Sequence, residues 1–312
     1  MNLHIEELDK KDIDKVIDLF CLVWNEPKHL VTEKTLWAFA NTFSKVLVFK
    51  NEDEEIIAVR GGFKWPLTND GKNLDCYQFH GTCVHPNYRR MSLFTKLNKA
   101  FLKASHAEQA DLIYNVSVKA SKLGYEKLGW HYLKGFHRLT KFHTSNLIRK
   151  ANRSDMLLVE TPKEEIPEFF FEARRAQFKG LISTNYSEEF LQWRLNNKEQ
   201  NYQIHSSINA FIIYKTRIVS NRKELIIGEI FLQNKNYQLF RDAFRSLLKI
   251  EKPDISFTYI FSSHPFYKYY LRYLYLPNPL NYNLNFGVKL ISDKIEISDM
   301  KWGISFLDID TF

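Results

Sequence analysis

Long apolar runs are missing from this 312-residue chain. No stretch approaches the roughly 20 apolar residues that a membrane-spanning helix needs, so a membrane span is not expected. Cysteine is scarce. Cys21, Cys76 and Cys83 leave one thiol over in any pairing scheme, which points to a reducing, cytoplasmic compartment and away from a disulfide framework. No C-x-x-C pair and no close His/Cys cluster occurs, so no metal is expected. The stretch from Met1 to Lys15 is charged, unlike a secretory leader. Basic residues exceed acidic ones by eight, yet no run of five or six Lys or Arg appears. That scatter argues against nucleic acid as a partner and suits a ligand that carries several phosphates. Nothing in the sequence sets an oligomeric state.

What is present reads as ordinary globular protein, 45% hydrophobic and 26% charged. The length is about twice that of a common domain, so two domains are expected, at 1–145 and 155–312. Apolar residues at helical spacing (Ile13, Val16, Ile17, Phe20, Val23) predict a first helix, and Thr32 to Phe43 a second. Lys45 to Lys50 and Glu55 to Phe63 read as strands. Thr68 to Gly71 is a turn, and Leu74 to Val84 a long strand. Leu93 to Ala107 is an amphipathic helix, Leu112 to Val118 a buried strand, Ser121 to Leu128 a helix, and Trp130 to Phe142 a further strand or hairpin. With one crossover helix between them, the strands ending at Val84 and beginning at Leu112 should lie parallel.

The informative segment is Val84-His85-Pro86-Asn87-Tyr88-Arg89-Arg90-Met91-Ser92-Leu93-Phe94. A strand ends, Pro86 blocks further ladder pairing, and a basic turn opens into a helix. A helix N-terminus offers unpaired N–H groups and the positive end of its dipole. Arg89 and Arg90 add full charge at the same place, which suits a pyrophosphate. Further on, Tyr125-Glu126-Lys127-Leu128-Gly129-Trp130 closes a helix on glycine and starts a strand.

Together these two segments resemble the GNAT superfamily of N-acyltransferases. There a V-x-P-x-[YF]-R turn leads into the CoA-binding helix, and a Y-E-K-L-G-F/W segment follows after one more strand. The resemblance covers Leu3 to Phe142. It implies acetyl-CoA, or another acyl-CoA, as co-substrate. The main chain of Arg89, Arg90, Met91, Ser92, Leu93 and Phe94 would cradle the pyrophosphate, and the backbone of Cys83 and Val84 would hold the pantetheine arm. Tyr125 would protonate the departing thiolate, with Ser121 and Lys122 near the cofactor. The chain departs from the family at its usual glycine positions, which hold Ser92 and Phe94. Val118 stands where an asparagine is often found.

Acyl transfer to an amine needs a neutral amine, a positioned thioester and an acid for the thiolate. His80, on the strand before the turn, is the candidate base, because a neutral imidazole suits the task. A structural histidine is the plainer alternative. Cys83 as a covalent nucleophile is the weaker reading, since a strand cysteine behaves as a small core residue.

The second half repeats the order of elements. Thr161 and Pro162 begin a helix to Phe178, and Ser187 caps another to Leu195. Strands are expected at 202–206, 210–214 and 224–232, a helix at 238–248, a strand at 255–261 and a helix at 265–273. Strands at 285–291 and 302–307 complete the list. The segments Phe190-Leu191-Gln192-Trp193-Arg194 and Trp302…Asp308…Asp310 resemble tandem GNAT proteins. No P-x-Y-R turn follows Leu232, so this half is expected to lack the cofactor site. The fold class is therefore α/β (α+β), two tandem GNAT-like domains, each a mixed, mostly antiparallel sheet flanked by helices. The function implied is an acyl-CoA-dependent N-acyltransferase acting on a small amine such as an amino sugar. A non-catalytic tandem GNAT-fold scaffold is the alternative.

Overall fold

The structure is a computed structural model that describes residues 3–143, 166–207, 209–278, 284–293, 296–297 and 300–309. The expected helix start at Thr161 and Pro162, and Asp310, lie outside these residues.

In the first half β1 (His4–Glu7) precedes two helices, α1 (Ile13–Trp24) and α2 (Lys28–Phe39). The spacing of Val16, Ile17, Leu19 and Phe20 buries one face of α1, and Asn25 ends the helix in the left-handed conformation. Three long strands follow, β2 (Ser44–Lys50), β3 (Ile56–Asn69) and β4 (Lys72–Val84). Asp70 and Gly71, at φ 50° and 80°, form the two-residue turn of the β3–β4 hairpin. Then come α3 (Leu93–Ala107), β5 (Leu112–Ser117), α4 (Lys119–Glu126), β6 (His131–Tyr132) and β7 (Phe136–Phe142). On α3 the inward residues Leu93, Leu97 and Phe101 recur every four positions.

The second half contains α5 (Glu168–Gln177), β8 (Ile182–Thr184), α6 (Glu188–Leu195), β9 (Gln203–Ser207), β10 (Ala210–Val219) and β11 (Arg222–Leu232). It continues with α7 (Tyr237–Glu251), β12 (Ile255–Phe261), α8 (Tyr267–Arg272), β13 (Leu276–Pro277) and β14 (Asn285–Leu290). Ser187 caps α6 as expected, accepting a hydrogen bond from the Phe190 amide at 3.2 Å.

Two mixed sheets result. The first runs β1-β2-β3-β4-β5-β14-β6, with β8 on the far end of β3, and the second β13-β7-β12-β11-β10-β9. In each, one parallel pair (β4–β5, β11–β12) sits among antiparallel neighbours. The sheets do not divide at residues 145–155. The stretch expected as one strand or hairpin, 130–142, splits. Its short β6 stays in the first sheet while β7 pairs with β12 in the second. In return β14, late in the chain, inserts between β5 and β6. The first half thus lends β7 to the second sheet, and the second half lends β8 and β14 to the first.

The expected strand at 302–307 is not one. Trp302 makes a lone bridge to Ile182, and 306–308 form a 3-10 turn. This segment is held where the halves meet. The hydroxyl of Tyr114 and the amide of Gln78 donate to the Asp308 carbonyl (2.9 and 2.6 Å), and Arg194 donates to the carbonyls of Leu307 and Ile309. Tied by side chains on both flanks, it has no free ladder to join. One hydrophobic cluster runs through both sheets, joining Val48 and Phe63 to Ile213 and Phe257. Phe266 and Tyr270 of the aromatic run at 265–270 are buried in a second cluster under α7.

Candidate functional site

The site begins with a fault in the sheet. β4 and β5 pair at Cys76–Leu112, Tyr77–Ile113 and Gln78–Tyr114, and no farther, although β4 continues to Val84 and β5 to Ser117. The cause lies on the other edge of β4, where Gly81 and Thr82 together oppose the single Arg60 of β3. Such a bulge bends its strand and disrupts the ladder locally. Gly81 takes φ 52°, and a Cβ there would sit 2.7 Å from the Phe39 ring. The bulge therefore swings the end of β4 away from β5 and leaves a wedge with unpaired main chain on its walls.

Past the wedge, β4 runs into the turn. Pro86–Tyr88 form one 3-10 turn, with the His85 ring accepting from the Asn87 amide at 3.2 Å. The Tyr88 hydroxyl is tied to Asn51 at 3.2 Å, which fastens the turn to the loop between β2 and β3. Arg90 and Ser92 then adopt φ 66° and 59°. Ser92 thus holds, at some strain, the left-handed conformation for which glycine is favoured. It is the N-cap of α3 but makes no side-chain cap. Among the described residues, the amides of Arg90 through Phe94 have no acceptor. Open amides in a left-handed turn at a helix start form an anion-binding concavity. Arg89, Arg90 and Ser92 are exposed beside it, whereas the Leu93 side chain is buried and anchors the helix. Phe94 turns away from the turn, against Tyr125 and Gly124.

Two clusters flank the wedge on opposite faces of the sheet. Toward α3 and α4, Tyr125 is buried and its hydroxyl accepts from Arg60 at 2.7 Å. Arg60, also buried, donates to the Thr82 hydroxyl as well and sits over the Phe79 ring at 3.7 Å from its centre. Toward α1 and α2, His80 stacks on Phe63 at 3.5 Å and packs against Phe39, its Nε2 without a hydrogen-bond partner. Burial, with the Arg60 charge nearby, holds this imidazole well below its ordinary pKa, so it is neutral. Burial likewise pushes the Cys83 thiol up to about 12 against a smaller pull from Arg89, which suits a core residue. Ser121 lies in the first turn of α4, and Lys122 reaches Glu126 at 3.7 Å and the Tyr132 ring. Where β4 leaves the sheet, a cavity of about 340 Å³ opens beneath α1, lined by Asp18, Leu22, Asp53, Glu55, Ile57 and His85 among others.

Arg60 was not foreseen. A lone arginine inside the apolar run Ile56-Ile57-Ala58-Val59-Arg60 was the available signal.

The second sheet repeats the parting but not the cradle. β11 and β12 pair only from Glu224–Ile255 to Ile226–Phe257, and Gly228 marks the bulge. Next to that bulge the buried Glu229 already pairs with Arg174 at 3.0 Å. At the start of α7, Asn236 caps its own helix by accepting from the Gln238 amide at 2.7 Å. Among the described residues no cluster of three metal-ligating side chains occurs, and no helix is long and apolar enough to cross a membrane.

Comparison with known proteins agrees with the fold. Residues 4–133 match the family model described as an acetyltransferase (GNAT) domain. Residues 4–133 are thus similar to a GNAT domain. Among solved structures, a probable N-acyltransferase from Enterococcus faecalis superposes with a TM-score of 0.63 at 13% identity, covering 94% of this chain and 73% of that one. A GCN5-related N-acetyltransferase from Kribbella flavida gives 0.64 at 12%, covering 93% and 72%. One from Anabaena variabilis gives 0.63 at 10%, covering 93% and 73%. These likenesses extend the shared fold over both sheets, beyond the residues that match the family model. No curated protein matches the sequence significantly.

Proposed function

We propose that this protein transfers an acyl group, acetyl first, from acyl-CoA to the amine of a small molecule such as an amino sugar. The observation that carries the reading is the uncapped start of α3, where Arg90 and Ser92 hold left-handed turns and the amides to Phe94 stay open beside two exposed arginines. That cradle suits a pyrophosphate. The pantetheine arm then lies in the wedge along Cys83 and Val84, with Ser121 and Lys122 near its mouth. The thioester stands at the bulge, between Tyr125 on one face and His80 on the other. Tyr125 gives a proton to the departing sulfur, and neutral His80 accepts one from the amine. Around the adjoining cavity Asp53, Glu54 and Glu55 outnumber Lys15, while Asp18 is already paired with Lys28, and the excess of carboxylate favours a cationic acceptor. The second sheet, with its wedge charge paired and its helix capped, serves as support and completes the acceptor cleft. Residence in the cytoplasm belongs to the same reading.

The experiment is release of free CoA thiol from acetyl-CoA in the presence of a panel of amino sugars and aliphatic amines. Amine-dependent release, lost in Tyr125→Phe and in His80→Gln, supports the reading. Acetyl-CoA binding without transfer to any amine, equal in all three proteins, would favour the scaffold alternative.

A further inference from the structure

We propose that Arg60 is a positioning residue for the acid of this reaction: its guanidinium fixes the Tyr125 hydroxyl at the wedge and stabilises the phenolate formed when that proton leaves. The inference rests on the acyl-transfer reading and assigns a role to a residue outside the turn and helix that hold the co-substrate.

The geometry comes from three contacts. Arg60 is 2% exposed and donates to the Tyr125 hydroxyl oxygen at 2.7 Å. A phenol that accepts from a guanidinium keeps its own proton for another acceptor. A second donor of the same guanidinium goes to Thr82, the bulge residue beside Gly81. Acid and bulge are thus held by one rigid fork. The Phe79 ring packs against that fork at 3.7 Å, and the Tyr125 ring lies 5.5 Å away. A lysine could carry the charge but not both directed bonds.

The chemistry balances. The amine nitrogen adds to the thioester carbonyl, forming C–N, and collapse breaks C–S with its electron pair left on sulfur. The Tyr125 proton passes to that sulfur, giving CoA thiol. The phenolate oxygen then lies within hydrogen-bond distance of a full positive charge, which a low-dielectric setting makes effective. The surplus proton on nitrogen passes out through the base to water, and water returns a proton to Tyr125. The same Arg60 charge bears on His80 across the sheet, where it helps to keep the imidazole neutral.

The test reads the sulfur directly and needs no acceptor. CoA is bound to the unmodified protein and to Arg60→Met, Arg60→Lys and Tyr125→Phe, and the thiol of the bound CoA is titrated by its thiolate absorbance. Desulfo-CoA serves as the binding control, and all four proteins should take it up within a few-fold of each other. Arg60→Met should weaken ionisation of the bound thiol about tenfold, one pKa unit. Tyr125→Phe should do the same, Arg60→Lys should recover part of the loss, and the Arg60→Met/Tyr125→Phe double variant should add little to either. Unchanged thiol ionisation in Arg60→Met, with desulfo-CoA still bound, overturns the role of Arg60 alone. Failure of the unmodified protein to bind either CoA or desulfo-CoA overturns the acyl-transfer reading beneath it.

Discussion

Replacing Gly81 by alanine should strike the fold and the site together. Gly81 lies at φ 52°, where a side chain costs roughly 1–2 kcal/mol. Its new methyl would also meet the Phe39 ring at 2.7 Å. That ring cannot swing aside freely. It is 6% exposed, packs on His80 and Phe20, and stands over Gly61. Forcing a methyl into such a contact costs about 1–3 kcal/mol more, so the total is about 2–5 kcal/mol. Gly71 is the internal control. It lies at φ 80°, but a Cβ there meets nothing within 4 Å, so Gly71→Ala should cost only the backbone share. Urea unfolding of the two variants, followed by fluorescence, separates the terms. Gly81→Ala should lose at least 1 kcal/mol more than Gly71→Ala, and its affinity for acetyl-CoA should fall because the wedge shifts. Equal losses in both would refute the claim that a packed bulge opens the wedge.

Other consequences are checked by simple means. Arg194 is fully buried and donates to two carbonyls of the 302–309 segment, so Arg194→Ala should destabilise by about 3 kcal/mol or more in denaturant unfolding; a loss under 1 kcal/mol would contradict its clasping role. Burial, then the Lys141 charge, lowers His143 to about 4. Unfolded histidine takes up a proton that the folded one refuses, so this group's stabilisation is complete above about pH 6.5 and is lost as the pH falls toward 4. A proton NMR titration in which His143 moved near pH 6.5 would disprove it. Cys83, with its thiol near 12, should resist iodoacetamide in the native protein at neutral pH while partly exposed Cys21 reacts, as read by peptide mass spectrometry. Modification of Cys83 at the rate of Cys21 would show that the strand end is open.

Much of this was legible because the informative features are local. Pro86 marks the end of β4, the Leu93, Leu97 and Phe101 spacing gives α3, and Ser187 marks the start of α6. The turn from Arg89 to Ser92 could be read as an anion site because helix ends carry the same dipole whatever surrounds them. What stayed hidden depends on contacts distant in sequence. β7 and β14 look like ordinary strands, and nothing in their alternation says that each pairs in the other half's sheet. The 302–309 segment has the apolar content of a strand, but its carbonyls go to Arg194, Gln78 and Tyr114. His80 and Tyr125 gave no hint that a sheet separates them. Arg60 was passed over because a single charge in an apolar run gains meaning only beside Tyr125, 65 residues away.

The central claim is that the turn at the start of α3 holds the pyrophosphate of an acyl-CoA. Calorimetric titration of acetyl-CoA into the unmodified protein and into an Arg89→Ala/Arg90→Ala variant tests it most directly. Both arginines are exposed and have no part in the core, so the variant should fold as before. The account predicts micromolar binding to the unmodified protein and a loss of tenfold or more in the variant, about 1.4 kcal/mol. Equal affinity in both proteins, or no binding even at millimolar acetyl-CoA, would contradict it.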